Sequence, residues 1–524
     1  MPSELRQNLT CDQSTQRKLA DRALAYLVVP LLVSSICILL MFLLLCVRTP
    51  PWNDESAYLT LSASIQGRRY PLWFWDPEKP ELFLTSPPAL LYFISLFPAR
   101  ISSNVVWMRT ILSLLFGLTP FAFIAIRALR QGTSLFPISA TALFVACSGF
   151  FLMELIQVRF DLALACLSCL ALVFYADATS DMEKRKWLWL SLSFLFALSV
   201  LSFLTKFQAV CLTGALFLDL MLVHFSLKRQ ALNWLAFSTH LAGVGLAIAV
   251  FVWWSSTSKY ASDAVLSNTI GWNIGSRILP SHELSKEVIG FSSVAKQILA
   301  KTIVPITVLL IASALGRIDW SERLFRVFVL ITVIVVAFNL AVYRMPGAGD
   351  YYMTMAAIPL GYVLGRSFES LYDSSRRPSV SWTLAVLLIL HGVLNLPPIT
   401  RIFRPDVDRM VAEQIAPFLQ SEDLLLLDDD ARSRTIPFLL HRIDRYGFFF
   451  YLDPARVESL LQRDGLGRVG ALVLLEQSLA QLNSKKWSAV AELIDQKFYR
   501  VPPLGSSPRF VVFLWRHPNN SGSN

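Results

Sequence analysis

Four groups of ionisable residues stand at the ends of long apolar runs. A charge so close to lipid is costly, and such a residue is by default a functional hypothesis. Asp54-Glu55 follow the first run, in Pro50-Pro51-Trp52-Asn53-Asp54-Glu55. Arg159-Phe160-Asp161 open a later run, and Leu204-Thr205-Lys206-Phe207 join two more. Arg344 is followed, across Pro346-Gly347-Ala348-Gly349, by Asp350-Tyr351-Tyr352. A carboxylate within hydrogen-bond reach can take the proton of a weakly nucleophilic hydroxyl as its new bond forms. Fixed cations aimed at a phosphate stabilise the charge that grows on it in the transition state. Asp54 is the first candidate for the base and Glu55 the second. Lys206 offers a compact charge, and Arg159 or Arg344 can grip two oxygens at once. Each group also has a plain alternative: a solvated Asp54-Glu55 loop, an Arg159–Asp161 ion pair at a turn, a snorkelling Lys206, or an Arg344–Asp350 pair.

The elements that must position these residues are membrane helices. Of 524 residues, 54% are hydrophobic and 16% charged, against about 25% charged in an ordinary soluble protein. That excludes a disordered chain and disfavours a cytosolic enzyme. A bilayer-crossing helix needs about 20 apolar residues, and hydropathy gives roughly eleven candidates. They are Ala23–Val47, Val106–Ala125, Leu135–Leu152, Leu162–Ala176, Trp187–Leu204, Val210–Leu227, Trp234–Trp254, Ile298–Leu315, Phe325–Val342, Tyr351–Leu364 and Trp382–Leu396. Pro87–Phe97 is too short to span and is expected to lie in the interface. The first span is too long for a signal peptide and is followed by Cys46-Val47-Arg48-Thr49-Pro50, so it is expected to be an uncleaved anchor.

Lys and Arg in short loops set the orientation. With the N-terminal tail (1–22) inside, the inner segments hold 17 of them: Arg6, Arg17, Lys18, Arg22, Arg127, Arg130, Lys184, Arg185, Lys186, Lys228, Arg229, Arg317, Arg323, Arg326, Arg366, Arg376 and Arg377. The short outer turns hold 3, namely Arg159, Lys206 and Arg344. The net charge of +10 is thereby explained by topology, and nucleic acid is not needed. The expected layout is a membrane domain over 23–399 with long outer loops at 48–105 and 255–297. An α/β domain over 400–524 follows, outside the membrane on the outer face. Its strand-length runs are Leu424–Leu427, Gly447–Leu452, Ala471–Leu475 and Phe510–Trp515, alternating with helical patterns at Val407–Leu419, Pro454–Gln462 and Trp487–Lys497. Such alternation indicates a small α/β fold. Six of the seven cysteines fall in spans, and Cys166 and Cys169 are read as small helix-packing residues rather than as a redox pair. Asp428-Asp429-Asp430 follow the first strand of the tail domain and are expected to be a solvated loop.

In these residues the chain resembles the GT-C membrane glycosyltransferases of the protein O-mannosyltransferase and lipid A aminoarabinose transferase type (glycosyltransferase families 39 and 83). The resemblance rests on an ordered set: Asp54-Glu55-Ser56-Ala57-Tyr58 with a helical stretch to Gly67, then Pro87-Pro88-Ala89-Leu90-Leu91-Tyr92. Arg159-Phe160-Asp161, Leu204-Thr205-Lys206, and Tyr351-Tyr352 running into Ile358-Pro359-Leu360 complete it. It covers roughly residues 20–365. It implies an inverting transfer from a polyprenyl-phosphate sugar on the outer face of a bacterial inner membrane or its equivalent. It implies Asp54 as catalytic base and Lys206, Arg159 and Arg344 as phosphate ligands, with Asp161, Asp350 and Tyr351 in support. The family often carries Lys-Pro or His-Pro with a nearby acid before the interfacial helix. Here that place reads Thr85-Ser86-Pro87-Pro88, so no cofactor is assigned and a divalent metal lacks one expected ligand. Lys206 is followed by Phe207 where many relatives have Gly, so the turn must be built differently.

The outer loops have no Walker or Rossmann glycine motif, so the energy for transfer must come with the lipid donor. The acceptor is a lipid, glycan or protein hydroxyl. Trp52, Tyr58, Tyr70, Trp73, Phe74 and Trp75 suit the membrane interface or a sugar face. The alternatives from other classes are a transporter or flippase for a lipid-linked or anionic substrate, and a non-catalytic assembly subunit. Against the first, no paired broken helices or inverted repeat is visible.

Overall fold

The computed structural model describes residues 28–42, 44, 49, 53–83, 87–179, 187–226, 231–260, 284–342, 353–375, 378–395, 407–428, 435–442, 444–502 and 510–516. Its membrane part opens with helix α1 (Val28–Phe42) and α2 (Asn53–Arg68), followed by a hairpin of β1 (Leu72–Asp76) and β2 (Lys79–Leu82). Short helices α3 (Ala89–Ser95) and α4 (Ala99–Ser102) lead into α5 (Val105–Gln131), which carries one π turn over Ser113–Gly117. Then come α6 (Phe136–Ala146), α7 (Gly149–Leu155), α8 (Phe160–Ala178), α9 (Leu188–Thr205) and α10 (Val210–Ser226). The bundle closes with α11 (Ala231–Thr257), α12 (Leu284–Ala314), α13 (Arg323–Val342), α14 (Thr354–Ser375) and α15 (Pro378–Leu394).

A helix stands at each of the eleven expected spans. Among the described residues seven are long and apolar enough to cross a membrane, eight if α6 and α7 form one broken span. The chain is an integral membrane protein. One expectation is corrected: the third span is not straight, because α6 and α7 meet at 79°. The bend turns α7 aside and carries its last residues toward the start of α8. Among the seven long apolar helices α8 is the most enclosed, with 89% of its apolar window buried inside the bundle, and Cys166 and Cys169 are buried there. Helix α14 packs on α6 through Gly361 and Gly365, a small-xxx-small spacing that lets backbones approach. A Cβ at Gly365 would stand 2.7 Å from the Pro137 carbonyl oxygen and 2.8 Å from its Cα.

One end of the bundle is tied by buried and half-buried ion pairs. Arg127 on α5 meets Asp177 on α8 at 2.7 Å, Arg326 on α13 meets Asp219 on α10 at 2.5 Å, and Arg366 on α14 meets Glu322 at 2.5 Å. The orientation rule places these arginines among the inner-segment charges. Each is compensated by an acid.

The C-terminal domain contains α16 (Val407–Ile415), β3 (Leu424–Leu427), α17 (Thr435–Leu439), β4 (Tyr446–Phe448) and α18 (Pro454–Leu461). It continues with β5 (Val469–Leu475), α19 (Leu479–Leu482), α20 (Ser488–Lys497), β6 (Phe498–Arg500) and β7 (Phe510–Trp515). The sheet order is β4-β3-β5-β7-β6, with β3 parallel to β4 and β5 and with β7 antiparallel to β5 and β6. The runs Leu424–Leu427 and Val469–Leu475 are buried at every position, as a sheet covered on both faces requires. Alternate side chains go to opposite layers. Leu424, Leu426, Leu472 and Leu474 face α18 and α20, while Leu425, Leu427, Ala471 and Val473 face α16.

That second layer also holds Leu72, Phe74 and Leu82 of the β1–β2 hairpin. The first long loop is therefore not an aromatic interface strip alone: its hairpin completes the core of the C-terminal domain. Trp73 and Phe74 are buried packing residues. Arg456 at 3.0 Å from Asp76 and 2.6 Å from Glu78, together with Arg463 on Glu78, clamps the hairpin tip. Asp428 is buried and accepts the Leu475 N–H at 3.0 Å, so it holds β3 to β5 and is not a solvated loop residue. Asp429 and Asp430 lie outside the described residues.

Candidate active site

Asp54 and Glu55 occupy the first turn of α2, where negative charge meets the positive end of the helix dipole. Their side chains part. Glu55 points inward and is fully buried, with Oε1 2.8 Å from Arg109 Nε and Oε2 2.6 Å from Arg109 Nη2. The same Oε1 accepts the Val158 N–H at 2.9 Å. Arg109 Nη1 also donates to the Thr49 carbonyl oxygen at 2.9 Å. Glu55 is thus placed as an anchor between α2, α5 and the segment before α8, out of reach of an incoming hydroxyl. The expectation that it is a second candidate base is corrected on that geometry.

Asp54 faces the other way, with its side chain 43% exposed. Its Oδ2 accepts from Arg159 Nη2. Because Asp54 adjoins Glu55 and Arg159 adjoins Val158, the Glu55–Val158 hydrogen bond fixes the distance at which Asp54 and Arg159 meet. Arg159 is extended (φ −136°, ψ 153°) and caps α8. Its Nη1 donates to Glu154 Oε1 at 3.2 Å, and Glu154 is brought there by the end of the bent α7. Tyr58, one turn along α2, packs edge-on to Phe160 at 4.7 Å.

Lys206 ends α9 in extended backbone (φ −160°, ψ 137°) before a 3-10 turn over Phe207–Ala209. Extended backbone suits any residue, so the turn is made without glycine, which accounts for Phe207. Lys206 Nζ lies 2.5 Å from Asp161 Oδ1 in the first turn of α8. Arg159 and Asp161 are therefore not paired with each other; each serves a different partner. Asp161 and Lys206 lie within electrostatic reach of Glu154.

The structure thus brings together Asp54, Arg159, Asp161 and Lys206 of the expected site. Arg344, Asp350 and Tyr351 lie outside the described residues. Sequence reasoning missed Arg109 and Glu154. Both are charged residues inside apolar stretches (Trp107-Met108-Arg109-Thr110-Ile111 and Phe151-Leu152-Met153-Glu154-Leu155), a signal that attention to span ends passed over. Three acids (Asp54, Glu154, Asp161) and two cations (Arg159, Lys206) give the cluster one net negative charge among the described residues. A phosphate there calls for further positive charge. No group of three or more His, Cys, Asp or Glu side chains that could hold a metal is present among the described residues.

The C-terminal domain reaches this cluster. Thr435 at the start of α17 accepts from Ser56 Oγ at 3.3 Å, two residues from Asp54. Phe438 of α17 joins Ala57, Leu61 and Phe160 in one core. Trp254 of α11 donates to Tyr92 Oη at 2.9 Å, and Tyr92 in turn donates to the Arg69 carbonyl oxygen at 2.8 Å.

No protein-family model and no curated protein match the chain. Solved structures do. ArnT from Cupriavidus metallidurans bound to undecaprenyl phosphate superposes with a TM-score of 0.61 at 13% identity, covering 93% of this chain and 97% of that one. The oligosaccharyltransferase AglB from Archaeoglobus fulgidus, in complex with an inhibitory peptide and a dolichol-phosphate, gives 0.51 at 12% identity, covering 95% and 75%. The arabinofuranosyltransferase AftD from Mycobacteria gives 0.50 at 15% identity over 94% of this chain, which spans 40% of AftD. At these identities the likeness is one of fold, and the fold is that of the GT-C membrane glycosyltransferases.

Proposed function

We propose that this chain is a polyprenyl-phosphate-sugar-dependent glycosyltransferase that moves a hexose or pentose, with inversion, to an acceptor hydroxyl on the outer face of the membrane. The observation that carries the reading is one half-exposed carboxylate, Asp54, joined through Arg159 to a buried acid and set near the Lys206–Asp161 pair at one end of a GT-C bundle. Support comes from the similar structures, which hold undecaprenyl phosphate or a dolichol-phosphate.

Asp54 takes the proton of the acceptor hydroxyl while its oxygen bonds to the anomeric carbon. The bond from that carbon to the phosphate oxygen breaks, and its electron pair leaves on the polyprenyl phosphate. General-base assistance of this kind contributes about 10²–10⁴-fold. Lys206 and Arg159 face the charge growing on the leaving phosphate, with Arg344 as the third cation. Asp161 holds Lys206, and Asp350 and Tyr351 keep the supporting part that the resemblance implies. The acceptor is a lipid, glycan or protein hydroxyl. The orientation follows the positive inner loops and puts the site and the C-terminal domain outside. The paired charges at the opposite end favour access from one side only, against a transporter.

The test is transfer by the purified protein in lipid nanodiscs, with undecaprenyl-phosphate hexoses and pentoses offered beside nucleotide sugars. Transfer from a lipid donor and none from nucleotide sugars is expected. Transfer from nucleotide sugars alone, or lipid crossing vesicles with no sugar moved, overturns the reading.

A further inference from the structure

Glu154 is 1% exposed, sits on no loop and has no place in the reaction written above. Burying a carboxylate is expensive unless it is paired. Its Oε1 accepts from Arg159 Nη1 at 3.2 Å, and its Oε2 has no hydrogen-bond partner among the described residues. Arg159 is thus shared: Nη2 to Asp54, which is half-exposed, and Nη1 to Glu154, which is buried. The two acids are not equivalent. Asp54 must give up part of its hold on Arg159 when it binds the acceptor's proton, because a neutral carboxyl no longer attracts a guanidinium.

We propose that Glu154 is a positioning residue: the buried second carboxylate of Arg159, which keeps that guanidinium in place while Asp54 changes protonation. The inference rests on the reading of Asp54 as base. Among the described residues the groups around the pair include Asp54, Glu55 and Tyr58 from α2, Arg109 from α5, Glu154 from α7, Asp161 from α8 and Lys206 after α9. Glu55 and Arg109 cancel. Removing the charge of Glu154 therefore changes the cluster from one net negative charge to zero.

Two consequences of opposite sign follow. With Glu154→Gln, Arg159 is left to Asp54 alone, which favours the ionised carboxylate and weakens it as a base. The maximal transfer rate falls several-fold and the acid limb of the pH–rate profile moves to lower pH. At the same time a phosphate meets one fewer negative charge, so undecaprenyl phosphate binds several-fold tighter. Glu154→Asp restores the charge and returns the pH profile to that of the parent protein.

The experiment measures undecaprenyl phosphate binding in nanodiscs and the pH–rate profile for parent, Glu154→Gln and Glu154→Asp. Tighter binding with slower transfer in Glu154→Gln, reversed in Glu154→Asp, is expected. Binding and transfer that fall together in Glu154→Gln mark a merely structural role and overturn the proposal, as does a parent-like profile. If the parent protein transfers no sugar, the reading of the reaction fails instead. The binding comparison still decides whether Glu154 sets the charge at this site.

Discussion

The Glu55–Arg109 pair is the most exacting point at which to perturb the site. Both side chains are fully buried, and the guanidinium meets the carboxylate through two parallel bonds of 2.8 and 2.6 Å. Arg109→Met removes both and leaves Glu55 with the Val158 N–H at 2.9 Å. Each charge-assisted hydrogen bond contributes about 1.5–3 kcal/mol, and stripping one partner from a buried ion pair costs about 3–5 kcal/mol. The second figure is adopted, because the two bonds share one carboxylate. Glu55→Gln combined with Arg109→Met removes both charges yet keeps an acceptor for Val158. That double variant is expected to recover at least about 1 kcal/mol of the single variant's loss. The assay is unfolding by SDS titration in mixed micelles, followed by tryptophan fluorescence, run as a double-mutant cycle. Because Glu55 and Val158 flank Asp54 and Arg159, sugar transfer should fall along with stability in Arg109→Met. An Arg109→Met protein within about 1 kcal/mol of the parent, or strictly additive losses, would refute the assignment of Glu55 as the anchor.

Three further outcomes are expected. Gly365→Ala forces a Cβ against the Pro137 backbone and should cost about 1–3 kcal/mol as overpacking, read in the same SDS titration. Phe438→Ala, which empties a buried position between α17 and α2, should cost about 3–5 kcal/mol and lower transfer although it lies in the C-terminal domain. The hairpin clamp should weaken in acid. Hydrogen bonds from Arg463 and then Arg456 hold the Glu78 carboxyl down to about 2 from its ordinary 4.5. A depressed carboxyl contributes fully above its unfolded value and loses its contribution as pH falls toward the folded one. Protease cleavage of the 72–82 hairpin should therefore rise as pH falls below about 4.5. Constant cleavage down to pH 2 would contradict the clamp.

Much of the fold was legible because its signals are local. The eleven apolar runs coincide with helices, and β3 and β7 stand where Leu424–Leu427 and Phe510–Trp515 put them. The bend between α6 and α7 was hidden because Leu135–Leu152 is continuously apolar, and hydropathy reports composition, not direction. The β1–β2 hairpin was missed because its aromatic run, Leu72-Trp73-Phe74-Trp75, carries the same residues as a membrane interface. Its partner, the sheet face around Leu425 and Tyr446, lies more than 300 residues away in sequence. At the site, Asp54, Arg159, Asp161 and Lys206 were visible as charges at span ends. Their pairing was not: Arg159 serves Asp54 and Glu154, and Asp161 serves Lys206, an exchange of partners that spacing along the chain cannot encode. Glu55 was indistinguishable from Asp54 by type and position, and only burial against Arg109 separates them.

The central claim is that Asp54 removes the acceptor's proton at a site that binds a polyprenyl phosphate. It is tested most directly by Asp54→Asn, with sugar transfer and undecaprenyl phosphate binding measured on one preparation. Transfer is expected to drop by about 10²–10⁴-fold while binding of the lipid phosphate is kept or strengthened, since a negative charge beside Arg159 has gone. Transfer within a few-fold of the parent protein would contradict it.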